Sequence, residues 1–188
     1  MHNQTRARGF SLIEVMVALI IIAVGMLGIA KMQALALSTT ESSGTRSLVA
    51  IEAASLAASM HADRDYWVGG PPSASFTVAV QTTGPGTNSV TITDPTTILS
   101  TTTNCAITGT CTPGQVAAYD VQQWGAALAQ VVPAALATVT CNTTAVPLSC
   151  TIQIKWQENV TSTNNTTAAV SSSSGALNSP VYTLYVEP

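Results

Sequence analysis

The stretch that decides the fold is residues 9–30, which reads Gly-Phe-Ser-Leu-Ile-Glu-Val followed by MVALIIIAVGMLGIA. Arg6 and Arg8 precede this stretch, and Lys31 follows it. Phe10 to Ala30 is 21 residues. At about 1.5 Å per residue, a helix of that length just crosses a hydrocarbon core of about 30 Å. The positive charges before the apolar run favour a cytoplasmic N-terminus and an exported C-terminal part.

The composition excludes several classes of protein. A chain of 188 residues has room for about one domain. Only 8% of the residues are charged and the net charge is −3, which argues against nucleic-acid binding because phosphate contacts need clustered Lys and Arg. Its two histidines, His2 and His61, cannot form a multi-histidine centre. We therefore predict no metal and no cofactor.

Glu14 is the unusual residue of the apolar run. A carboxylate within a membrane segment costs on the order of 2–3 kcal/mol, and less near the interface, so it needs a partner. On a helix, Glu14 lies about one turn from the backbone nitrogen of Phe10. A cut between Gly9 and Phe10 would place a new α-amine within reach of Glu14, or of the same residue in a neighbouring chain. The alternative is an ordinary N-terminal helix acid that is stabilised by the macrodipole.

A cleaved secretory signal is a second interpretation of the same segment. Its parts are present: a basic start, an apolar stretch, and a small-residue site at Gly28-Ile29-Ala30. Such a signal would leave a mature chain that begins at Lys31. Glu14 argues against this interpretation, because a signal peptide has no use for a buried carboxylate.

The segment from Arg8 to Val15 resembles the processing site of type IV pilins and of the related type II secretion pseudopilins. The resemblance implies that a prepilin peptidase removes residues 1–9 and methylates the amine of Phe10. It also implies that Glu14 pairs with the N-terminus of a neighbouring subunit during filament assembly. One feature departs from the family: major pilins commonly carry a proline in this helix, whereas here Gly25 and Gly28 are the weak points.

Beyond the membrane segment, the pattern predicts an α+β domain with an antiparallel sheet of about four or five strands. One helix is expected from Phe10 to about His61, and its second half is expected to pack on the domain through Val49, Ala53, Leu56 and Met60. A shorter helix follows a capping signal at Thr112 and ends at Pro133. Strands are predicted at residues 75–80, 89–93, 138–142, 150–156 and 181–186. The expected divisions are a leader at 1–9, an N-terminal helix at 10–62 with 10–30 transmembrane, and an exported domain at 63–188.

Four cysteines in an exported domain are most simply two disulfides. Three pairings are possible, and nearest-neighbour pairing joins Cys105 to Cys111 and Cys141 to Cys150. Zinc is the alternative, but the spacings are not those of paired C-x₂-C ligands. The run from His61 to Asp65 could also suggest a metal, and we interpret it as a solvated helix end.

Within pilin-like proteins, part of the domain resembles PilV, the type IV pilus modification family of minor pilins. The similar residues are Cys111-Thr112-Pro113, Ala117 to Asp120, Trp124, Cys141, and the strand ending at Trp156. The turn after Pro133 departs from the pattern, because Ala134 to Ala137 stand where a glycine-rich turn is expected. The Ser/Thr/Asn-rich segment from Asn159 to Asn178 is predicted to be an exposed loop.

The resemblance implies a minor pilin that helps to initiate filament assembly near the tip. Its partners would be other minor pilins, the major pilin, the prepilin peptidase and the inner membrane, with no nucleic acid. It would reside in the inner membrane, with a cytoplasmic N-terminus and a periplasmic domain, and then in the extracellular pilus. The alternatives are a minor pseudopilin of type II secretion and a secreted binding protein or adhesin. An enzyme is not expected, because the acids are scattered and no Ser-His-acid set can be drawn.

Overall fold

The computed structural model describes residues 9–69, 72–84, 87–132, 134–158 and 179–188. A long apolar N-terminal helix precedes an antiparallel sheet of five strands, so the predicted α+β class is confirmed. The helices are α1 (Leu12–Ala62), α2 (Arg64–Trp67), α3 (Cys105–Thr108) and α4 (Pro113–Val131). The strands are β1 (Ser75–Gly84), β2 (Thr87–Thr93), β3 (Leu136–Asn142), β4 (Ser149–Lys155) and β5 (Val181–Val186).

The described chain forms two compact units, Met1–Glu41 and Ser42–Pro188. In the first unit the hydrophobic side chains of α1 are exposed. The hydroxyls of Thr39 and Thr40 bond back to carbonyls one turn earlier, at 2.9 Å from Ala36 O in both cases. These two hydroxyls therefore satisfy their hydrogen bonds within the helix itself.

The predicted elements agree closely with the observed ones. The expected helix from Phe10 to about His61 is α1, which begins at Leu12 and ends at Ala62. The short helix α2, which the sequence analysis did not predict, occupies four residues between the end of α1 and Gly69. The expected loop at 159–178 lies outside the described residues.

The strand order of the sheet is β2-β1-β3-β4-β5, and every neighbouring pair is antiparallel. One face of the sheet is apolar because side chains alternate along each strand. In β4, for example, Ile152 and Ile154 are fully buried while Gln153 and Lys155 are exposed. The buried face joins one core with the second half of α1 and with α4, through Val49, Ala53, Leu56, Met60, Val121 and Leu128.

Helix α4 begins at a capping box. Gln115 N donates to the hydroxyl of Thr112, and the Gln115 side chain accepts from Thr112 N at 2.9 Å. Pro113 occupies the first helical turn, where its missing N–H costs nothing. Further along, a Cβ added at Gly125 would lie 3.0 Å from a methyl group of Val78 and 3.0 Å from one of Val90. The absence of a side chain therefore allows α4 to approach β1 and β2 closely.

Candidate functional site

The predicted processing residues lie at the start of α1. Phe10 precedes the helix and is 84% exposed. Glu14 is exposed in the first turn, and its backbone N–H donates to Ser11 O at 3.0 Å. Within the described residues, no hydrogen bond or ion pair joins the Glu14 carboxylate to another side chain.

Of the helices in the described part of the chain, α1 alone is long and apolar enough to cross a membrane. None of the side chains in its apolar stretch is buried. The backbone of such a helix satisfies its own hydrogen bonds, which a lipid environment requires. An apolar surface of this length is typical of a site that contacts lipid or other proteins.

Two glycines interrupt this apolar surface. A Cβ added at Gly25 or Gly28 would have no heavy atom within 4 Å, apart from the helix itself. Neither glycine therefore makes a close contact with another element among the described residues. In membranes, small residues at such positions let two helix backbones approach one another.

A sequence model of the prokaryotic N-terminal methylation motif matches residues 4–30. The chain carries a prepilin-type N-terminus. The motif supports a type IV pilin-like protein, a group that includes both pilins and pseudopilins, and it indicates a structural protein. It also implies processing by a prepilin peptidase, anchoring in a membrane before assembly, and assembly with other pilins. The chain has no significant match among curated proteins or among solved structures.

In the second compact unit, Ser42–Pro188, which we call the domain unit, the carboxyl groups of Asp63 and Asp120 lie close together. Asp63 follows α1 and precedes α2, and Asp120 lies on α4. Burial, together with the charge and the hydrogen bonding of Asp120, raises the pKa of Asp63 to about 6. One oxygen of Asp63 is buried and has no donor among the described residues. A shared proton between the two carboxyls would satisfy that oxygen.

Asp94 is the centre of a buried polar cluster between β2 and α3. Its carboxylate accepts hydrogen bonds from the hydroxyl of Ser73, from the hydroxyl of Thr96 at 2.7 Å and from Leu99 N at 2.9 Å. Burial opposes the charge, but these hydrogen bonds together hold the pKa of Asp94 below its ordinary value. The cluster fixes the chain where it leaves the sheet, so we assign it a structural role.

An ion pair joins α1 to the segment that follows β4. Arg46 donates to both carboxylate oxygens of Glu158, at 3.0 Å from Nε and 2.9 Å from Nη2. Trp156 Nε1 also donates to Glu158, at 3.2 Å. The hydrogen bond from Arg46 is the main cause that holds the pKa of Glu158 below its usual value, although burial opposes it.

Trp124 and Asp120, which lie one turn apart on α4, have separate partners. The indole N–H of Trp124 donates to the carbonyl of Glu52 on α1 at 2.8 Å, whereas Asp120 faces Asp63. The two residues therefore do not form a joint ligand site. A cleft of about 490 Å³ lies elsewhere, at the start of α4, where Tyr66, Ile98 and Pro113 line it.

The structure contains disulfides between Cys105 and Cys111 and between Cys141 and Cys150. Each bond closes a short loop, the first beside the start of α4 and the second between β3 and β4. Among the described residues, no group of three or more His, Cys, Asp or Glu side chains could hold a metal ion. Two contacts were not predicted from the sequence: Arg46 with Glu158, and Asp63 with Asp120. The members of each pair are far apart in the chain, so no local sequence pattern indicates that they meet.

Proposed function

We propose that this protein is a minor pilin of the type IV pilus, similar to the PilV family, that helps to initiate filament assembly. The observation that carries the proposal is the prepilin-type motif at residues 4–30, with Glu14 exposed in the first turn of a membrane-length helix. The two disulfides are compatible with an exported domain. The proposal places the domain in the periplasm before assembly and on the extracellular pilus afterwards.

Processing would begin with hydrolysis of the peptide bond between Gly9 and Phe10. The products are a carboxylate on Gly9 and a free amine on Phe10, which the peptidase then methylates. Gly9 and Phe10 are both exposed, and they precede the first residue of α1. The bond therefore lies before the first residue of the helix and can enter a protease site without unwinding a turn.

Assembly would use the charge pair that cleavage creates. In the membrane, a lone Glu14 carboxylate near the apolar boundary is costly, and so is a lone ammonium group at Phe10. A contact between the amine of one subunit and Glu14 of its neighbour offsets both costs and fixes how the two helices are aligned. Removing one member leaves the other charge unpaired in an apolar surrounding.

The apolar part of α1 would hold the subunit in the membrane and later pack against other pilin helices. The open surface at Gly25 and Gly28 suits a close approach by a neighbouring helix. The alternative, a minor pseudopilin, would use the same N-terminal chemistry in a type II secretion system. An adhesin with an ordinary signal peptide would use none of it.

The first test is the intact mass and N-terminal sequence of the protein isolated from membranes of its native host. A start at Phe10 with one added methyl group supports prepilin processing. A start at Lys31 shows an ordinary signal peptide and overturns the assembly proposal. A Gly9→Leu variant serves as a processing control, because a bulky residue before the cut should leave the chain uncleaved.

The second test compares Glu14→Leu with Glu41→Gln, which removes a carboxylate from the same helix. We expect Glu14→Leu to remain in the membrane and to fail to support surface pili, whereas Glu41→Gln should assemble normally. Counting pili by electron microscopy and measuring export of a type II substrate separates the two systems. Loss of secretion with normal piliation would overturn the pilus assignment in favour of the pseudopilin.

A further inference from the structure

The two edges of the sheet differ in how the rest of the chain covers them. At one edge, α4 packs against β2, and the side chain of Asn88 donates to a carbonyl of α4. The ladder of β1 and β2 also has an irregularity near Gly84. At the other edge, β5 pairs with β4 on one side, and no strand in the described part of the chain pairs with its outer side.

Within its own six residues, strand β5 has none of the residue types that usually prevent an edge from pairing. Its sequence from Val181 to Val186 is Val-Tyr-Thr-Leu-Tyr-Val, without a charge, a proline or a glycine. Natural edges are commonly protected by charged residues, proline or bulges. Aromatic and β-branched residues favour strands, so this sequence favours pairing with a further strand. Val181 and Tyr185 are 53% and 78% exposed.

We infer that β5 pairs with β5 of a second copy of this chain, antiparallel and about a twofold axis through Thr183, to form a continuous ten-stranded sheet. An axis perpendicular to the sheet keeps the two apolar faces on one side, which requires residues of the same face to lie opposite one another. Thr183 then faces Thr183 of the second copy, and Val181 faces Tyr185. An aromatic residue opposite a β-branched one is a favourable cross-strand pair.

Charge also fits this arrangement. Lys155 on β4 is paired with Val181, and the exposed Glu187 follows β5 on the same face of the sheet. In the dimer, Glu187 of the second copy lies two strands and two residues away from Lys155, about 12 Å between Cα atoms. The two extended side chains span that distance, and the twofold axis generates the contact twice. A second copy therefore supplies the complementary charge at each end of the pairing.

The predicted dimer is weak because six residues per chain make a small interface. The inference does not rest on the proposed pilin function, since it uses only the domain unit and applies equally to the uncleaved chain.

The test is disulfide cross-linking of the full chain in detergent micelles. All cysteines in the described residues are already paired, so Thr183→Cys introduces a single free thiol on the dimer axis. Thr91→Cys, at an exposed position of β2, is the matched control. We expect a covalent dimer from Thr183→Cys at about tenfold the rate of Thr91→Cys. Equal rates, or a chain that stays monomeric, would overturn the inference.

A charge exchange in the Thr183→Cys background tests the proposed geometry. Lys155→Glu should weaken the dimer about fivefold, because the twofold axis turns two attractive pairs into repulsive ones. Adding Glu187→Lys should restore the original rate. If the double variant stays as slow as Lys155→Glu, then the twofold pairing is wrong. Unchanged thermal unfolding in each variant confirms that the domain is folded.

Discussion

Arg46 and Glu158 are 112 residues apart in the chain, yet the guanidinium group of one donates to both carboxylate oxygens of the other, at 2.9 and 3.0 Å. Arg46 lies within α1, and Glu158 follows the last residues of β4. The side chain of Glu158 is only 7% exposed, whereas that of Arg46 is 56% exposed. This ion pair therefore links the second half of α1 to the segment that follows β4, and the carboxylate of the pair has little access to water.

Glu158→Gln should lower the thermal midpoint of the domain by several degrees at neutral pH. The pKa of Glu158 is held low in the folded state, so its contribution to stability is present above the unfolded pKa and is lost as the pH falls through the folded pKa. The variant should therefore lose stability at pH 7 and differ little from the wild type in strong acid. Circular dichroism melts from pH 2 to 7 measure this, with exposed Glu187→Gln as the control. Parallel curves for wild type and Glu158→Gln would contradict the prediction.

Asp63→Asn should stabilise the domain at neutral pH. The folded-state pKa of Asp63 is about 6, above its ordinary value of 3.8, so the folded form binds more protons between these values. The stability that protonated Asp63 contributes is full below pH 3.8 and is lost as the pH rises through about 6. An asparagine amide carries no charge at any pH, so the variant keeps this contribution to stability at pH 7. The expected gain is about 1 kcal/mol, after allowance for solvent screening at a partly exposed site.

Denaturant unfolding at pH 4.5 and pH 7.5 measures the effect of Asp63→Asn. The contribution of Asp63 should make the free energy of unfolding of the wild type larger at pH 4.5 than at pH 7.5. In Asp63→Asn this contribution to the pH dependence should disappear. Asp65→Asn, which removes the same charge at an exposed position, is the control. A wild-type difference that survives in Asp63→Asn would show that the carboxyl pair is not its source.

Gly125→Ala should destabilise the domain although alanine is the better helix former. The gain in helix propensity is at most about 1 kcal/mol. Against it, the new methyl group would lie 3.0 Å from methyl groups of both Val78 and Val90, two side chains with restricted rotamers. Overpacking of this kind costs about 1–3 kcal/mol, so the net loss is expected to be about 1 kcal/mol.

Gly44→Ala is the matched control for Gly125→Ala. It lies in the same unit on α1, where an added Cβ has no neighbour within 4 Å. It should raise stability by about 0.5–1 kcal/mol through helix propensity alone. Denaturant unfolding of both variants gives the comparison. If both substitutions raised the free energy of unfolding, then α4 would not lie close enough to β1 and β2 for a methyl group at position 125 to clash.

Asp94→Asn should destabilise the domain by about 2–3 kcal/mol. The amide has one acceptor oxygen in place of two, so it cannot accept from the hydroxyls of Ser73 and Thr96 and from Leu99 N together. Thr96→Val, which removes one hydroxyl and keeps the carboxylate, should cost about 1 kcal/mol. Chemical unfolding at pH 7 tests this ranking, and an equal or larger loss in Thr96→Val would contradict it.

The sequence predicts those features whose physical cause is local. The start of α4 follows from Thr112, Pro113 and Gln115, because a capping box lies within four consecutive residues. The alternation of Ile152 and Ile154 with polar residues predicts both the strand and its buried face. At the candidate site, the identity and spacing of Phe10 and Glu14 are likewise contained in one short segment.

Features that depend on distant partners could not be predicted. Nothing near Arg46 identifies Glu158 as its acceptor, and nothing near Asp63 indicates that Asp120 will lie beside it. The helix α2 has only four residues, too few for a periodic pattern to be visible. The strand order could not be predicted either, because β1 and β3 are neighbours in the sheet although β2, α3 and α4 separate them in the sequence.

The pairing of β1 with β3 joins two hairpins of the sheet, and it costs more entropy than either hairpin alone. Strands β1 and β2, which follow one another in the chain, form one hairpin, and β3 and β4 form another. Residues Ser75–Ala79 pair with Leu136–Thr140, and this ladder joins the two hairpins across about 60 intervening residues. Closing so long a loop costs more entropy than forming either hairpin. We therefore expect the two hairpins to form before the ladder between β1 and β3, because that ladder joins residues much farther apart in the sequence.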